Sequence, residues 1–453
     1  MDAPQKAPSV RAVALDALVA ATTQREFADE VLAKALTESS LQGANRALAA
    51  DIFWGTLRWR GRLDGMIAPI FHGDYRRANL TLKFLLRIGA YQLFLLDRVP
   101  DHAAVSQTVE IAIERLGKSA GGLVNAILRR LARERERWDT PPEGADELAL
   151  LAFQISHPHW IVRQLVRQLG REEAKLALEA NNERPPLTLR ANPLKMSSEE
   201  LEKDLSERRL RFQCSQLVDG CFRLETPVFL SVQDLVMDGK VIIQDESAAL
   251  VTLILDPQPG ESILDLCASP GGKTAHIYNR TEGQARIVAV EPNPIRAERL
   301  KENLTRLGME GVEVRVQDGR EPLEETFDRV LVDAPCSSLG LLRRNPDIRW
   351  HRRPEHLEAQ RALQVQLVSA GARCVKPGGL LVYSTCSILP RENGRLVEYF
   401  VRRYEDFERE SVASFVPAEV VDEQGDMQTW THRHGTDGAY ASRLRRHSET
   451  APA

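Results

Sequence analysis

Two segments of the chain place a cysteine just beyond an apolar run: "RVLVDAPCSSLG" carries Asp333, Pro335 and Cys336, and "LLVYSTCSILP" carries Thr385 and Cys386. Both read as buried strands opening into loops, and loops are where reactive groups collect. A thiolate can add to C6 of a cytosine ring and convert the poorly nucleophilic C5 into an enamine carbon able to attack a methyl sulfonium. An acid near N3 helps as charge develops there, and a base must then take the C5 proton so that the thiol can leave. Two cysteines and Asp333 match these demands. The charge of Lys273 would lower a neighbouring thiol pKa. Spacing alone does not choose which cysteine attacks. Cys214, Cys221 and Cys374 read as small apolar side chains.

A third segment, "ILDLCASPGGKT", ends like a phosphate-binding loop. That loop needs a glycine separated by four residues from Gly-Lys-Thr. Cys267 stands there instead, and G-x-G-x-x-G is absent. Gly271 and Gly272 still let a ligand approach the backbone. Glu291, at the end of the next strand, suits a ribose diol. Asp318 ends the third strand and can accept from an adenine amino group. A glycine loop with two such acids and no phosphate cradle points to an adenosine cofactor without phosphates, and S-adenosylmethionine fits.

The elements that must position these residues fall into three expected regions. Residues 1–140 read as an all-helical domain, from "RAVALDALVAA", "LTLKFLLRIGAYQLFLL" and "AAVSQTVEIAIERLG". The polar, Pro-rich "WDTPPEGADE" marks a boundary. Residues 148–238 mix helices ("PHWIVRQLVRQLG", "REEAKLALEANNE", "SSEELEKDLSERR") with strands ("PLTLRANPLK", "FRLETPVFL", "GKVIIQD"), a small α+β unit. Residues 239–446 alternate strand and helix, which implies a parallel sheet with helices on both faces. Ligands in such sheets bind beyond the carboxyl ends of the strands, where all the residues above lie.

Bulk properties narrow the function classes. The chain has 453 residues, 43% hydrophobic and 27% charged, with a net charge of −4. Residues 1–138 hold 20 Lys and Arg against 15 Asp and Glu, and the remainder 40 against 49. The basic clusters at Arg58–Arg60–Arg62, Arg76–Arg77 and Arg129 to Arg137 can neutralise phosphates. Glu134 and Glu136 interrupt the last, as on a solvated helix face. No apolar run is long enough for a membrane span, and the start lacks a signal-peptide core. Six cysteines, none in C-x-x-C spacing, fit neither a disulfide framework nor a zinc site. A cytoplasmic monomer without a metal is expected.

With these residues quoted, the chain resembles the RNA (cytosine-5)-methyltransferases of the Nol1/Nop2/Sun family, through "ILDLCASPGGKT", "VLVDAPCSSLG", "NPDIRW" and "YSTCSILPREN" over roughly residues 150–445. The N-terminal "DHAAVSQTVEIAIERLGKSAGGLVNAILRRL" is similar to the NusB-type RNA-binding fold. Together these imply a NusB-like domain, an RNA-binding α+β (RRM-like) subdomain around 185–235 and a Rossmann-like methyltransferase domain acting on 16S rRNA. The resemblance implies that Cys386 is the nucleophile, that Cys336 assists product release, and that Asp333 and Lys273 serve the site. It places cofactor contacts at Cys267, Ala268, Ser269, Pro270, Gly271, Gly272, Lys273, Glu291, Asp318 and Asp333. Departures are Ala439-Tyr440 where relatives usually carry two aromatics, "ENG" at Glu392 to Gly394, and Ser269 where alanine is frequent. Alternatives are a tRNA or large-subunit rRNA substrate, or a non-catalytic RNA-binding factor.

Overall fold

The computed structural model describes residues 9–23, 27–138, 144–225, 229–321 and 323–448. The chain packs as two units, Met1–Asn182 with Asn345–His351, and Glu183–Arg344 with Arg352–Ala453.

The first unit is helical. Its long helices include Val10–Thr23, Gly43–Arg58, Leu80–Leu95, Asp101–Leu116 and Lys118–Arg133. Each turns an apolar stripe inward, and Leu15, Leu18, Ile52, Phe53, Leu63 and Phe84 are fully buried. Gly117, at φ +90°, lets one helix stop and the next begin at once. The helices Glu147–Ile155, His159–Leu169 and Arg171–Ala180 also pack here rather than with the α+β region in which the sequence grouped them. Their apolar faces, with Ile155, Ile161, Val162 and Leu165, close inside this unit. The separated segment Asn345–His351 contributes Arg349, which is completely buried. Arg349 donates to the carbonyls of Arg58, Ser156 and Asn181 and to Asn182 Oδ1. No helix among the described residues is long and apolar enough to cross a membrane.

The second unit holds two sheets. The smaller has β1 (Leu187–Ala191), β2 (Phe212–Cys214), β3 (Cys221–Leu224) and β4 (Val241–Ile243), ordered β2-β3-β1-β4 and antiparallel throughout. Helix Ser198–Glu207 starts with a capping box in which Ser197 and Glu200 satisfy each other's backbone N–H. β2 was not anticipated, and Phe229 and Leu230, expected as the end of a strand, lie in a single tight helical turn, Phe229–Ser231.

The larger sheet comprises β5 (Ser262–Asp265), β6 (Arg286–Val290), β7 (Glu313–Arg315), β8 (Phe327–Asp333), β9 (Val375–Thr385), β10 (Phe407–Glu410), β11 (Met427–Gln428) and β12 (Tyr440–Arg446). Its order is β10-β12-β9-β8-β5-β6-β7, with β11 on β12. The strands from β9 to β7 are parallel, as expected. β12 runs antiparallel to both β9 and β10, so the sheet is mixed. A parallel return needs a crossover of a dozen or more residues, usually a helix. After β10 the chain offers only short turns, among them Thr431–His434, and it returns antiparallel. The strand order reverses at β5, between β8 and β6, which opens a crevice at their carboxyl ends.

Candidate active site

The loop after β5 lies at that crevice. Ser269-Pro270 is a cis peptide, and Gly271 takes φ +106° at the mouth of helix Gly272–Arg280. A Cβ at Gly271 would stand 2.6 Å from Leu300 Cδ1. The last two residues of the loop turn into the protein. Thr274 Oγ1 donates to Asp265 Oδ2 at 2.7 Å, and Lys273 Nζ donates to Asp333 Oδ2 at 2.6 Å. Burial, against the Thr274 bond, raises the Asp265 pKa to about 6. Burial alone would lower the Lys273 pKa, but Asp333, Cys386 and Asp265 outweigh it and hold the ammonium charged.

Asp333 ends β8. Its Oδ1 accepts from Ser384 at 2.7 Å while its Oδ2 takes Lys273, so both oxygens are oriented. One strand over, β9 ends in Thr385, and Cys386 follows. Cys336 Sγ lies 3.1 Å from Cys386 Sγ, and Ser338 Oγ lies 3.5 Å from Cys386 Sγ. The two thiols are not equivalent. Cys386 is pulled below the ordinary thiol value, first by the hydrogen bond from Cys336 and then by Ser338 and Lys273, against burial and Asp333. Cys336 is pushed well above it, by giving that hydrogen bond and by burial. Cys267 is also pushed well up, first by burial and then by the charges of Asp265, Asp333, Glu291 and Asp318.

The loops that carry the two cysteines meet at Gly340. Its N–H donates to Cys386 O at 3.0 Å, and its carbonyl accepts from Gly438 N at 2.9 Å. A Cβ here would sit 1.8 Å from Gly438 O. Only glycine permits this approach.

A cavity of about 280 Å³ is lined by Asp265, Cys267, Ala268, Ser269, Pro270, Gly272, Lys273 and Asp333. Gly271, Glu291, Asp318, Cys336 and Cys386 are not on its wall. Glu291 is buried at the end of β6, and its Oε1 accepts from Asn293 N at 2.9 Å. Asp318 lies past β7 and is about one-third exposed, paired with Arg320, which lowers its pKa to about 2. Among the described residues no cluster of His, Cys, Asp or Glu is arranged to hold a metal.

Sequence reasoning missed part of this wall. Arg344 donates to Asp437 Oδ2 at 2.8 Å and to Asp245 Oδ2 at 3.1 Å, and all three line the cavity. Asp245 also caps helix Glu246–Leu255 through Ser247 N. Burial and the charge of Asp245 raise the Asp437 pKa to about 6. These residues stand far apart in sequence, and no local pattern joins them. Ile295 and Val316 are large apolar side chains left exposed, at 69% and 51%, near the ends of adjacent strands, and neither lines the cavity.

Three family models match the chain: 16S rRNA methyltransferase RsmB/F over residues 252–445, the NusB family over 8–133, and a ferredoxin-like domain of RsmF/B-like methyltransferases over 157–231. The probable ribosomal RNA small subunit methyltransferase B of Bacillus subtilis is 32% identical across 97% of this chain and 99% of its own length. The ribosomal RNA small subunit methyltransferase B of Klebsiella pneumoniae is 37% identical across 82% of this chain and 85% of its own. The crystal structure of PH0851 superposes with a TM-score of 0.85 and 26% identity, covering 98% of this chain and all of that one. A methyltransferase homolog protein from Pyrococcus horikoshii gives 0.59 and 27% over 67% of this chain and 99% of its own.

Proposed function

From the premise that the chain belongs to the RsmB/F family of 16S rRNA methyltransferases, we propose that it methylates C5 of a cytosine in 16S rRNA, with Cys386 bonded transiently to C6 and S-adenosylmethionine as donor. The observation that carries this reading is the Cys336–Cys386 pair, 3.1 Å apart and driven to opposite protonation preferences. A site with one attacking thiolate and one proton-bearing thiol has that asymmetry.

The residues fit the cofactor. Asp265, Cys267 and Asp333 line one cavity, and its carboxylates suit a sulfonium cation. Gly272, on the cavity wall, lets it approach the backbone, and Glu291, buried at the end of β6, suits the ribose diol. Bound there, the cofactor supplies an electrophilic methyl group.

The chain's own groups do the rest. The Cys386 thiolate forms the S–C6 bond and drives the ring electrons toward C5. Asp333, fixed by Lys273 and Ser384, faces the N3 edge as charge develops there. After methylation a base, hydroxide or water from solvent, takes the C5 proton, the C–H electron pair re-forms the C5–C6 double bond, and the S–C6 bond breaks to return Cys386 as thiolate. Cys336 assists that release. The target base must leave any stack to reach a buried thiol, which favours a loop or unassembled segment of the RNA.

Purified protein, unmodified 16S rRNA and methyl-labelled S-adenosylmethionine should yield 5-methylcytosine in the RNA. Absence of transfer, or label at another base, would defeat the reading.

A further inference from the structure

Each of the two cysteines is followed by a serine, and both serines are tied to one buried carboxylate. Glu392 is completely inaccessible to solvent. Its Oε1 accepts from Ser337 N at 2.8 Å and from Gln364 Nε2 at 3.0 Å. Its Oε2 accepts from the hydroxyls of Ser337 and Ser387, which lie 3.0 Å from each other. A carboxylate offers about four lone-pair sites, and here all are taken by neutral donors. Gln364 uses the same amide to donate to Pro335 O at 3.1 Å, so Cys336 is held on both sides. Tyr383 Oη donates to the Glu392 carbonyl at 2.7 Å, which fixes the acid to β9 just before Cys386.

A buried charge without a cationic partner is costly to keep unless its hydrogen bonds are complete. Four converging donors meet that cost; three come from the two loops whose spacing the chemistry depends on, and the fourth, Gln364, from helix His356–Arg373. The same negative charge is one cause of the raised Cys336 pKa, and it is not among the main causes acting on Cys386.

We propose that Glu392 is a positioning residue: it locks the loops after β8 and β9 together so that Cys336 stays against Cys386 through release of the product. This rests on the reading of the site as a cytosine-C5 methyltransferase. An error of about 1 Å in such a placement can cost roughly 10²-fold in rate. The acid acts through Cys336, so release should suffer more than attack.

The experiment follows the protein–RNA adduct on denaturing gels, with 16S rRNA and S-adenosylmethionine, beside 5-methylcytosine formed in one turnover. Wild-type protein should form product without accumulating adduct, and C336A should accumulate it. E392Q is expected to transfer methyl in the first turnover yet accumulate adduct, with release slowed roughly 10²-fold. General loosening of the site would instead lower adduct and product together. If E392Q does not fold, S387A, which removes one arm of the clamp, is read in the same way with a smaller accumulation. Adduct no higher than wild type in the folded variant overturns the proposal, provided wild type and C336A behave as stated. If those two do not, the functional reading fails instead.

Discussion

The sulfurs of Cys336 and Cys386 stand 3.1 Å apart, and the opposite pKa shifts of the two thiols favour Cys336 as the donor between them. That donation is the largest cause of the lowered Cys386 pKa. Cys386→Ala should abolish methyl transfer. Cys336→Ala should leave attack possible, trap the adduct, and raise the Cys386 pKa by removing the donor. A lowered pKa means more thiolate at a given pH, so in Cys336→Ala the pH profile of Cys386 alkylation should move to higher pH. An unmoved or downward-shifted profile would show that the bond does not tune the nucleophile.

Lys273 gives its charge to Asp333 and also lowers the Cys386 pKa. Lys273→Met should therefore reduce turnover by about 10²-fold or more, as loss of a preorganised charge in a catalytic site commonly does. It should also move Cys386 alkylation upward in pH. Full activity with an unchanged alkylation profile would remove Lys273 from the site's chemistry.

Two glycines give opposite expectations. Gly340→Ala forces a methyl group against Gly438 O and Cys386 O. Backbone cannot yield as a side chain would, so both cysteine loops should shift and turnover should collapse. Gly122 has nothing within 4 Å of the same position. Gly122→Ala, inside the helix Lys118–Arg133, should stabilise slightly, by up to about 1 kcal/mol. Single-turnover rates and thermal midpoints check both.

Asp426 is fully buried and accepts from Tyr440, and burial raises its pKa to about 6. Below about pH 4 the carboxyl is neutral whether folded or unfolded and carries no ionisation cost. As pH rises through 6 the folded state must ionise it, so this group's contribution falls with rising pH. A shift from 3.8 to about 6 corresponds to about 3 kcal/mol at most. Asp426→Asn should therefore gain stability relative to wild type between pH 4 and pH 7, measured by urea unfolding. Parallel pH dependences in the two proteins would rule this out.

Arg349 is the largest fully buried side chain. Arg349→Leu fills part of the space but strands the carbonyls of Arg58, Ser156 and Asn181 and the side chain of Asn182. Unmet buried acceptors cost about 1–3 kcal/mol each before relaxation. The urea midpoint of the first unit should drop by an amount equivalent to at least about 3 kcal/mol. A midpoint within error of wild type would mean that water replaces the guanidinium freely.

The legible part of the chain was what short-range pattern encodes. Cys336, Cys386, Asp333 and Lys273 sit in compact segments whose strand-then-polar pattern announces a strand end, and parallel strand ends must face one crevice. The helical region and the strands β5 to β9 carry strong apolar periodicity. What stayed hidden is long-range. Asp245 and Asp437 meet although 192 positions apart, and no local pattern pairs them. The antiparallel edge of β10 to β12 is built from short strands that bear charges, as in "FERE", so alternation was weak. Glu392 was noticed as part of a motif, but that its carboxylate joins two loops depends on packing alone. Thr274 was misleading: its place after Gly-Lys suggested a ligand contact, and it spends its hydroxyl on Asp265.

That inward turn of Lys273 and Thr274 bears on competition among nucleotides. A triphosphate would need the lysine charge, the threonine hydroxyl and a cradle without opposing carboxylates. Here the lysine already neutralises Asp333, and the hydroxyl is occupied by Asp265. Restoring glycine at position 267 would complete the loop's spelling without creating its affinity. Adenosine triphosphate shares its adenosine with the proposed donor, but its phosphates would find neither an unengaged lysine charge nor an unengaged threonine hydroxyl in this loop.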